Sequence, residues 1–163
     1  MLLRVHGNMS KILRTGERRI SIPPDSALDL ARDLARDLDT PQNIDFFVAS
    51  FYDKLLKDDI MAPVFLRDAN IDVSAHLPTI SLYWQKMLWG DGQYNTNMMK
   101  KHRAINVKKH FKTIHYQRWM GYFEQTAKES FAGEYTEKAL RIAAAVIHNM
   151  ESRMVEAVVV NAS

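Results

Sequence analysis

Apolar side chains recur at helical spacing through most of the chain, and no segment shows the sustained alternation of a β-strand. One helix is predicted from about 43 to 57, with a single apolar face made of Ile44, Phe47, Val48, Phe51, Tyr52 and Leu55. A second helix is predicted over about 74–89, with a stripe made of Val73, His76, Leu77, Ile80, Trp84, Met87 and Leu88. The turn Gly90-Asp91-Gly92 ends it.

The second half of the chain predicts three further helices. A short one lies near 98–103, and a loop is expected over about 104–109. Two long helices, near 110–131 and 135–158, follow with Gly133 between them. The apolar face of the first consists of Phe111, Ile114, His115, Trp119, Tyr122 and Phe123. That of the second consists of Leu140, Ala143, Ala144, Ile147, Met150 and Met154. The predicted fold class is therefore all-α.

Residues 1–40 are predicted to form an N-terminal extension to one domain that spans 41–160. Glycines and the Pro23-Pro24 pair interrupt residues 1–25, where no period is sustained. Residues near 26–38 repeat leucine and alanine on one side of a helix and aspartate and arginine on the other. We expect a peripheral amphipathic helix that packs on the domain; the alternative is a helix that binds a partner or self-associates.

Composition limits the chemistry. The 163 residues are 47% hydrophobic and 25% charged, which is ordinary for a soluble globular domain. The absence of cysteine excludes disulfides, iron–sulfur clusters, thioether-linked haem and cysteine zinc sites, and it fits a reducing cytoplasm. No apolar run approaches the roughly 20 residues that a membrane span needs. We therefore expect a cytoplasmic protein without a membrane span.

Charge and motifs exclude further classes. The net charge is +3, but residues 1–22 hold five cations against one acid, so the rest of the chain is nearly neutral and nucleic-acid binding is not expected. There is no Gly-rich phosphate loop, nucleophile elbow or HExxH motif. His110 and His115 do not share a helical face, so they are not expected to form a zinc pair.

Two histidines, His76 and His102, are separated by a helix, a Gly-rich turn and a short helix. This arrangement can place two imidazoles on opposite sides of one flat cofactor, and neutral histidine is the commonest protein ligand of haem iron. Alone, His102 is more often a surface histidine among lysines, and His76 a partly buried polar residue. The apolar residues beside His76, which include Ile80, Trp84 and Met87, favour a haem cavity instead. The second ring nitrogen of His102 should then donate to a backbone carbonyl.

Two further polar side chains lie on helical segments that can fold over the same cavity. Tyr52 is on the apolar face of its helix, and a buried phenol needs a hydrogen-bond partner, either a structural one or an oxygen ligand. Trp119 carries an indole N–H that only donates. Each donor contributes on the order of 1 kcal/mol, and about 1.5–3 kcal/mol to a ligand that carries charge, so two or three donors would slow oxygen release by several orders of magnitude.

The motifs FYDKLLKDD and PVF in 51–65, YWQKMLWGDGQYN and MKKH in 83–102, and W with YF in 119–123 resemble those of group III truncated haemoglobins. The resemblance covers about residues 43–151. It implies a globin-like two-over-two helical sandwich around haem b, with His102 as the proximal ligand of the iron. It implies a distal polar set of Tyr52, His76 and Trp119. Residues that it places against the haem are Phe65, Ile80, Trp84, Met87 and Met99. Tyr94, Lys100 and Arg103 would be partners for the propionates, although solvated cations explain the last two equally well.

Two features depart from the family pattern. Pro78 lies two residues after His76, inside the predicted helix. Either this helix begins near Ser74, or it begins later and leaves His76 on a looser segment that can swing toward solvent or iron. The connection after His102 is also longer than the family's short one.

The resemblance implies reversible binding of oxygen, nitric oxide and carbon monoxide with slow release. Such a protein is a poor oxygen carrier and suits nitric oxide dioxygenase-like or peroxidase-like chemistry, with a separate reductase as electron donor. We expect a monomer or weak homodimer. One alternative is a haem-based ligand sensor that signals through the N-terminal extension. Another is a haem-free all-α interaction module, which has no need of His102.

Overall fold

The computed structural model describes residues 36–90, 97–109 and 111–160, with the backbone alone at 99, 105–109 and 154–160. Its elements are α1 (Pro41–Lys57), a π-helical turn (Val64–Asp68), α2 (Val73–Trp89), α3 (Met98–Lys109), α4 (Thr113–Ser130) and α5 (Glu134–Val160). Within these ranges there is no β-strand, so the all-α prediction is confirmed. None of the helices described is long and apolar enough to cross a membrane.

The first helix, α1, forms where its apolar period predicts it. The Thr40 hydroxyl accepts the N–H of Asn43 at 3.2 Å, and Pro41 occupies the first position, where no N–H is needed. All six apolar residues of the predicted face are buried. A large side chain contributes roughly 1.5–3 kcal/mol when it is buried, so this face anchors the core.

The second helix, α2, begins at Val73, close to the start predicted near Ser74 and five residues before Pro78. Asp72 caps it by accepting the N–H of Ala75, and the helix runs without a break through Pro78. His76 therefore lies in the first helical turn, and the alternative of a looser segment at His76 is wrong. Pro78 has no N–H to donate to the carbonyl of Ser74. Ser74 is exposed, so this carbonyl is open to solvent. Gly90 ends the helix in the left-handed region (φ 75°).

The third helix, α3, continues to Lys109, so the predicted loop over 104–109 is wrong. The sequence RAINVKK has no apolar stripe, which is why its periodicity did not indicate a helix. Lysine, arginine and alanine nevertheless favour helix intrinsically. The extra residues after His102 are thus taken up mainly as additional helix.

The four longer helices form two layers. The α1 helix packs on α2 and α4, and α5 packs on α4 and α2, so that the pair α1 and α2 lies over the pair α4 and α5. The third helix, α3, contacts α5. Large side chains from three of these helices meet in the core, including Phe47, Phe51, Trp84, Leu88 and Phe123. The two-over-two arrangement expected from the sequence is thereby confirmed.

The buried face of α4 differs from the predicted one. Ile114 is 39% exposed, whereas Tyr116, Thr126 and Ala127 are buried beside Phe123. Since successive residues advance by about 100°, Ile114 lies on the side of the helix opposite Phe123. The sequence pattern places Ile114 and Phe123 on the same face of the helix.

Residues 36–40 belong to the packed domain. Arg36 forms an isolated parallel bridge with Phe131, and Leu38 is buried, so the amphipathic helix predicted near 26–38 does not extend to Leu38. The rest of that helix and residues 1–35 lie outside the described residues. Asp37 accepts the N–H groups of Tyr135 and Thr136 at 3.1 and 2.7 Å, which caps α5.

Candidate functional site

Tyr52 and His76 meet between α1 and α2. The Tyr52 hydroxyl and His76 Nε2 are 3.1 Å apart, and the two rings contact each other edge to face. Tyr52 is 5% exposed, and burial raises the pKa of its phenol. The phenol therefore keeps its proton at neutral pH and can act as a donor.

The His76 imidazole is the neutral partner of this pair. Burial lowers its pKa first, and His102, when it is protonated, and the charge of Lys101 lower it further. If Nε2 carries the proton, His76 donates to the Tyr52 oxygen and leaves the phenol proton for a ligand. If Nδ1 carries it, Nε2 accepts the phenol proton instead. The tautomer of the imidazole therefore decides whether the Tyr52 hydroxyl donates to His76 or to a ligand.

His102, on α3, has one ring nitrogen committed and the other available. Its Nδ1 donates to the carbonyl of Met98 at 2.9 Å, which confirms the predicted backbone acceptor. Because this bond places the proton on Nδ1, the Nε2 lone pair is free, and it has no hydrogen-bond partner in the described ranges. Burial lowers the pKa of His102, which favours the neutral ligand form. The sequence does not identify Met98 as the acceptor, although the carbonyl four residues before His102 becomes available once the helix begins at 98.

The two histidines come from different helices and lie near enough to interact. A protonated His102 would help to lower the pKa of His76. The sequence predicts that the ligand-competent nitrogen on α3 and the hydrogen-bonded pair on α1 and α2 form one site.

Two rows of apolar side chains run along α2. The core row contains Leu77, Ser81, Trp84 and Leu88, of which the last three are buried. His76, Ile80 and Met87 form a second row, rotated from the core row by about 100°. Ile80 is half-buried and Met87 is 38% exposed. The second row thus offers an apolar wall on the His76 side, whereas Trp84 packs in the core against Phe123.

Aromatic contacts connect the other predicted residues to Tyr52. Phe65 contacts the Tyr52 ring at 5.6 Å between centroids. Phe51 contacts both Tyr52 and Trp119, at 5.5 and 5.0 Å. Trp119 also stacks on Phe123. Its indole N–H has no hydrogen-bond partner among the residues described, so it remains available as a donor.

Two of the three predicted propionate partners, Lys100 and Arg103, lie among the described residues. Lys100 and Arg103 are exposed, and neither forms an ion pair with any residue that the structure describes. Tyr94 and the Met99 side chain lie outside the described residues. A cavity of about 250 Å³ adjoins α3 and is lined by Met98, Val146, Asn149 and Arg153. It lies between α3 and α5, beside the residue whose carbonyl holds His102.

The donor set is compatible with haem. A porphyrin supplies four nitrogens to its iron, so a single imidazole from the protein can hold the group. The described ranges contain no cluster of three or more histidine, cysteine or acidic residues that could hold a metal. His102 offers one neutral nitrogen in a fixed tautomer. Tyr52 and His76 provide polar groups nearby, next to the apolar row on α2.

The layered helices have a truncated globin fold. A solved group III truncated haemoglobin from Campylobacter jejuni superimposes with a TM-score of 0.64 and covers 72% of this chain and 94% of its own. At 23% identity, that likeness shows the fold.

The sequence points to the same group of proteins. The curated group 3 truncated haemoglobin ctb of C. jejuni is 29% identical over 79 residues. The match spans 47% of this chain and 60% of that relative. No protein-family model matches the chain. The predicted resemblance to group III truncated haemoglobins is confirmed, at modest identity.

Proposed function

We propose that this protein binds haem b and that His102 Nε2 is the protein's ligand to the iron. The observation that carries the proposal is the hydrogen bond from His102 Nδ1 to the Met98 carbonyl. It fixes the tautomer that leaves Nε2 free, as metal-binding histidines require. When bound, haem supplies an iron centre that takes diatomic ligands such as oxygen, nitric oxide and carbon monoxide.

On the distal side, this chain's own residues would retain the ligand. Tyr52 donates its hydroxyl proton to a polar diatomic ligand, and His76 orients that hydroxyl. Trp119 adds an indole N–H, supported by its stacking on Phe123. The apolar row of Ile80 and Met87 excludes water and strengthens these hydrogen bonds. Tight retention and slow release follow.

The first experiment is an optical spectrum of the purified protein in its ferric, ferrous and ferrous-carbonyl forms. We expect a Soret band that shifts with each form and is lost in His102→Ala. The matched control is His148→Ala, an exposed histidine on α5 that should leave the band unchanged. A band that survives in His102→Ala, or no band after haem supplementation, would overturn the proposal. A six-coordinate ferrous spectrum that becomes five-coordinate in His76→Leu would assign His76 as a second axial ligand.

A redox role suits slow release better than oxygen transport. We propose oxidation of nitric oxide to nitrate, in which NO, O2 and one electron give NO3⁻, or peroxide reduction. Both need a separate electron donor. Nitrate formation from NO and O2 under a continuous supply of reductant tests the first reaction. Turnover no faster than that of free haem would exclude it.

A haem-based sensor is the second candidate, because residues 36–40 connect the N-terminal extension to α2 and α5. Trp89 Nε1 donates to the Leu38 carbonyl at 3.1 Å, and Asp37 caps α5. A ligand-dependent shift of α2 would therefore be transmitted to the chain before residue 36. Limited proteolysis of the deoxy and carbonyl forms should then differ within residues 1–40. Identical patterns would remove the sensor from consideration. A cytoplasmic location and a monomer or weak homodimer stay predictions from the sequence.

A further inference from the structure

The segment that carries His102 is the most basic of the globular part. Residues 98–112 contain no acidic side chain and six cations, namely Lys100, Lys101, Arg103, Lys108, Lys109 and Lys112. The chain as a whole is only +3, and residues 1–22 are also basic. The remainder of the molecule therefore carries net negative charge, and the positive charge is concentrated around α3.

These cations are not neutralised locally. Lys100, Lys101, Arg103 and Lys112 are exposed, and none of them pairs with a carboxylate in the part of the chain that the structure describes. Several cations elsewhere do have partners. Lys54 pairs with Glu129 at 2.6 Å, and Lys57 and Lys128 pair with acids four residues away on their own helices. The exposed cations of 98–112 thus form an unpaired basic face, which we call the α3 basic face.

The α3 basic face is continuous with the candidate site. Lys101 and Arg103 are the immediate neighbours of His102 on the same helix. Their positive charges therefore lie next to the residue proposed to hold the iron. A protein docked on this face would lie at the side of the domain from which His102 is held.

We propose that the α3 basic face docks an acidic protein that donates single electrons to the haem. The inference rests on the proposed function, because it names the surface that the required reductase would use. The partner's reduced [2Fe–2S] or flavin centre loses one electron, and ferric haem gains it to become ferrous. No proton moves and no bond forms or breaks.

The chemistry of the face favours an acidic protein over a nucleic acid or a membrane. Its helix is 12 residues long, about 18 Å, which suits a small protein interface. The exposed side chains that the structure describes on α3 are Lys100, Lys101, Arg103 and Ala104, and Asn97 is exposed just before it. They include no aromatic ring for stacking on bases and no large apolar group for insertion among lipids.

Stopped-flow reduction of the ferric protein by a reduced, acidic plant-type [2Fe–2S] ferredoxin tests the proposal. The test variant is Lys101→Gln/Lys112→Gln, which spares every residue assigned to the haem site. The matched control, Lys128→Gln/Arg141→Gln, removes two exposed cations elsewhere. Charged interface rims mainly change association rates, so we expect the test variant to react about five-fold more slowly at low salt and the control within about two-fold of wild type. Salt near 0.5 M should remove the difference. Equal rates for all three proteins at low salt would overturn the proposal.

A second measurement does not depend on haem. Oxidised ferredoxin or flavodoxin, both acidic, is titrated into the labelled protein as purified while amide chemical shifts are followed. Salt-sensitive shifts confined to about 98–112 would support the docking surface even if the Soret test failed. No shifts with either protein would overturn it. Tighter binding of an RNA duplex or of phosphatidylserine vesicles to the same residues would also overturn it.

Discussion

At the scale of one residue, the Tyr52 hydroxyl decides how tightly the site can hold a ligand. Tyr52→Phe keeps the ring between Phe51 and Phe65, so haem binding should persist. The lost hydrogen bond contributes about 1–1.5 kcal/mol, so oxygen dissociation should become roughly ten-fold faster. Stopped-flow displacement of oxygen by carbon monoxide measures this rate. Tyr135→Phe, a half-buried tyrosine on α5, should leave it unchanged.

An unchanged rate of oxygen dissociation in Tyr52→Phe would mean that the Tyr52 hydroxyl forms its hydrogen bond with His76 and none with the ligand. The sequence predicts that Tyr52 is buried, because it lies on the apolar face of α1, and that a buried phenol needs a partner. It does not identify His76 as that partner. Helical periodicity relates residues three or four apart, whereas this contact joins two helices and depends on how α1 packs on α2.

At the scale of the elements, Asp37 holds the start of α5. Its carboxylate accepts the N–H groups of Leu38, Tyr135 and Thr136 and the Thr136 hydroxyl. Burial alone would raise its pKa, but these hydrogen bonds lower it. Asp37→Ala should destabilise the fold by about 1–2 kcal/mol, since it removes a helix cap. Thermal unfolding followed by circular dichroism should show the loss. Asp45→Ala, an exposed aspartate on α1, is the control, and an equal effect of both would contradict a capping role.

Asp58 connects the end of α1 to α4 and gives the fold a dependence on acid pH. Burial alone would raise its pKa, but hydrogen bonds from Tyr122, from the Met61 and Ile60 amides and from Arg118 lower it to about 2. Because the folded pKa lies below the ordinary value of 3.8, this stabilisation is complete above about pH 4. It is lost as the pH falls toward 2.

The variant Asp58→Asn tests this dependence. Its free energy of unfolding should be lower at neutral pH and should change less between pH 4 and 2, by up to about 2 kcal/mol, than that of wild type. Urea unfolding at a series of pH values measures the difference. Asp53→Asn, whose carboxylate pairs with Lys57 on the surface, should keep the wild-type slope. Parallel curves for wild type and Asp58→Asn would contradict the assignment.

The helices differ in how far the sequence predicts them, for a physical reason. The apolar face of α1 is complete because that face packs against the core along the whole helix, and every predicted core residue is buried. The end of α3 is missed because a helix with charged residues around it has no apolar period to detect. The opposite error occurs at residues 36–38, where the sequence repeat predicts helix although Arg36 forms a bridge with Phe131. Tertiary pairing overrides the local pattern there.

At the scale of the whole molecule, the boundary of the domain should lie before Arg36 and not at Pro41. Leu38 is buried, its carbonyl accepts the Trp89 indole N–H, and Asp37 caps α5, so residues 36–40 join α2 to α5. Substitution of Gly133, which has a φ of 133°, would be strained because a Cβ there would overlap the Asp37 side chain.

Two truncations separate the two boundaries. A chain that begins at Arg36 should keep the Soret spectrum and a melting temperature close to that of the full chain, because every contact described above is retained. A chain that begins at Pro41 loses the Asp37 cap and the burial of Leu38, together about 3 kcal/mol, and should melt roughly 6–12 °C lower. Thermal melts of the three proteins in the same ligand state make the comparison. Equal melting temperatures for the two truncated chains would mean that residues 36–40 only lie against the domain without stabilising it, and the route proposed for a sensor would lose its physical basis.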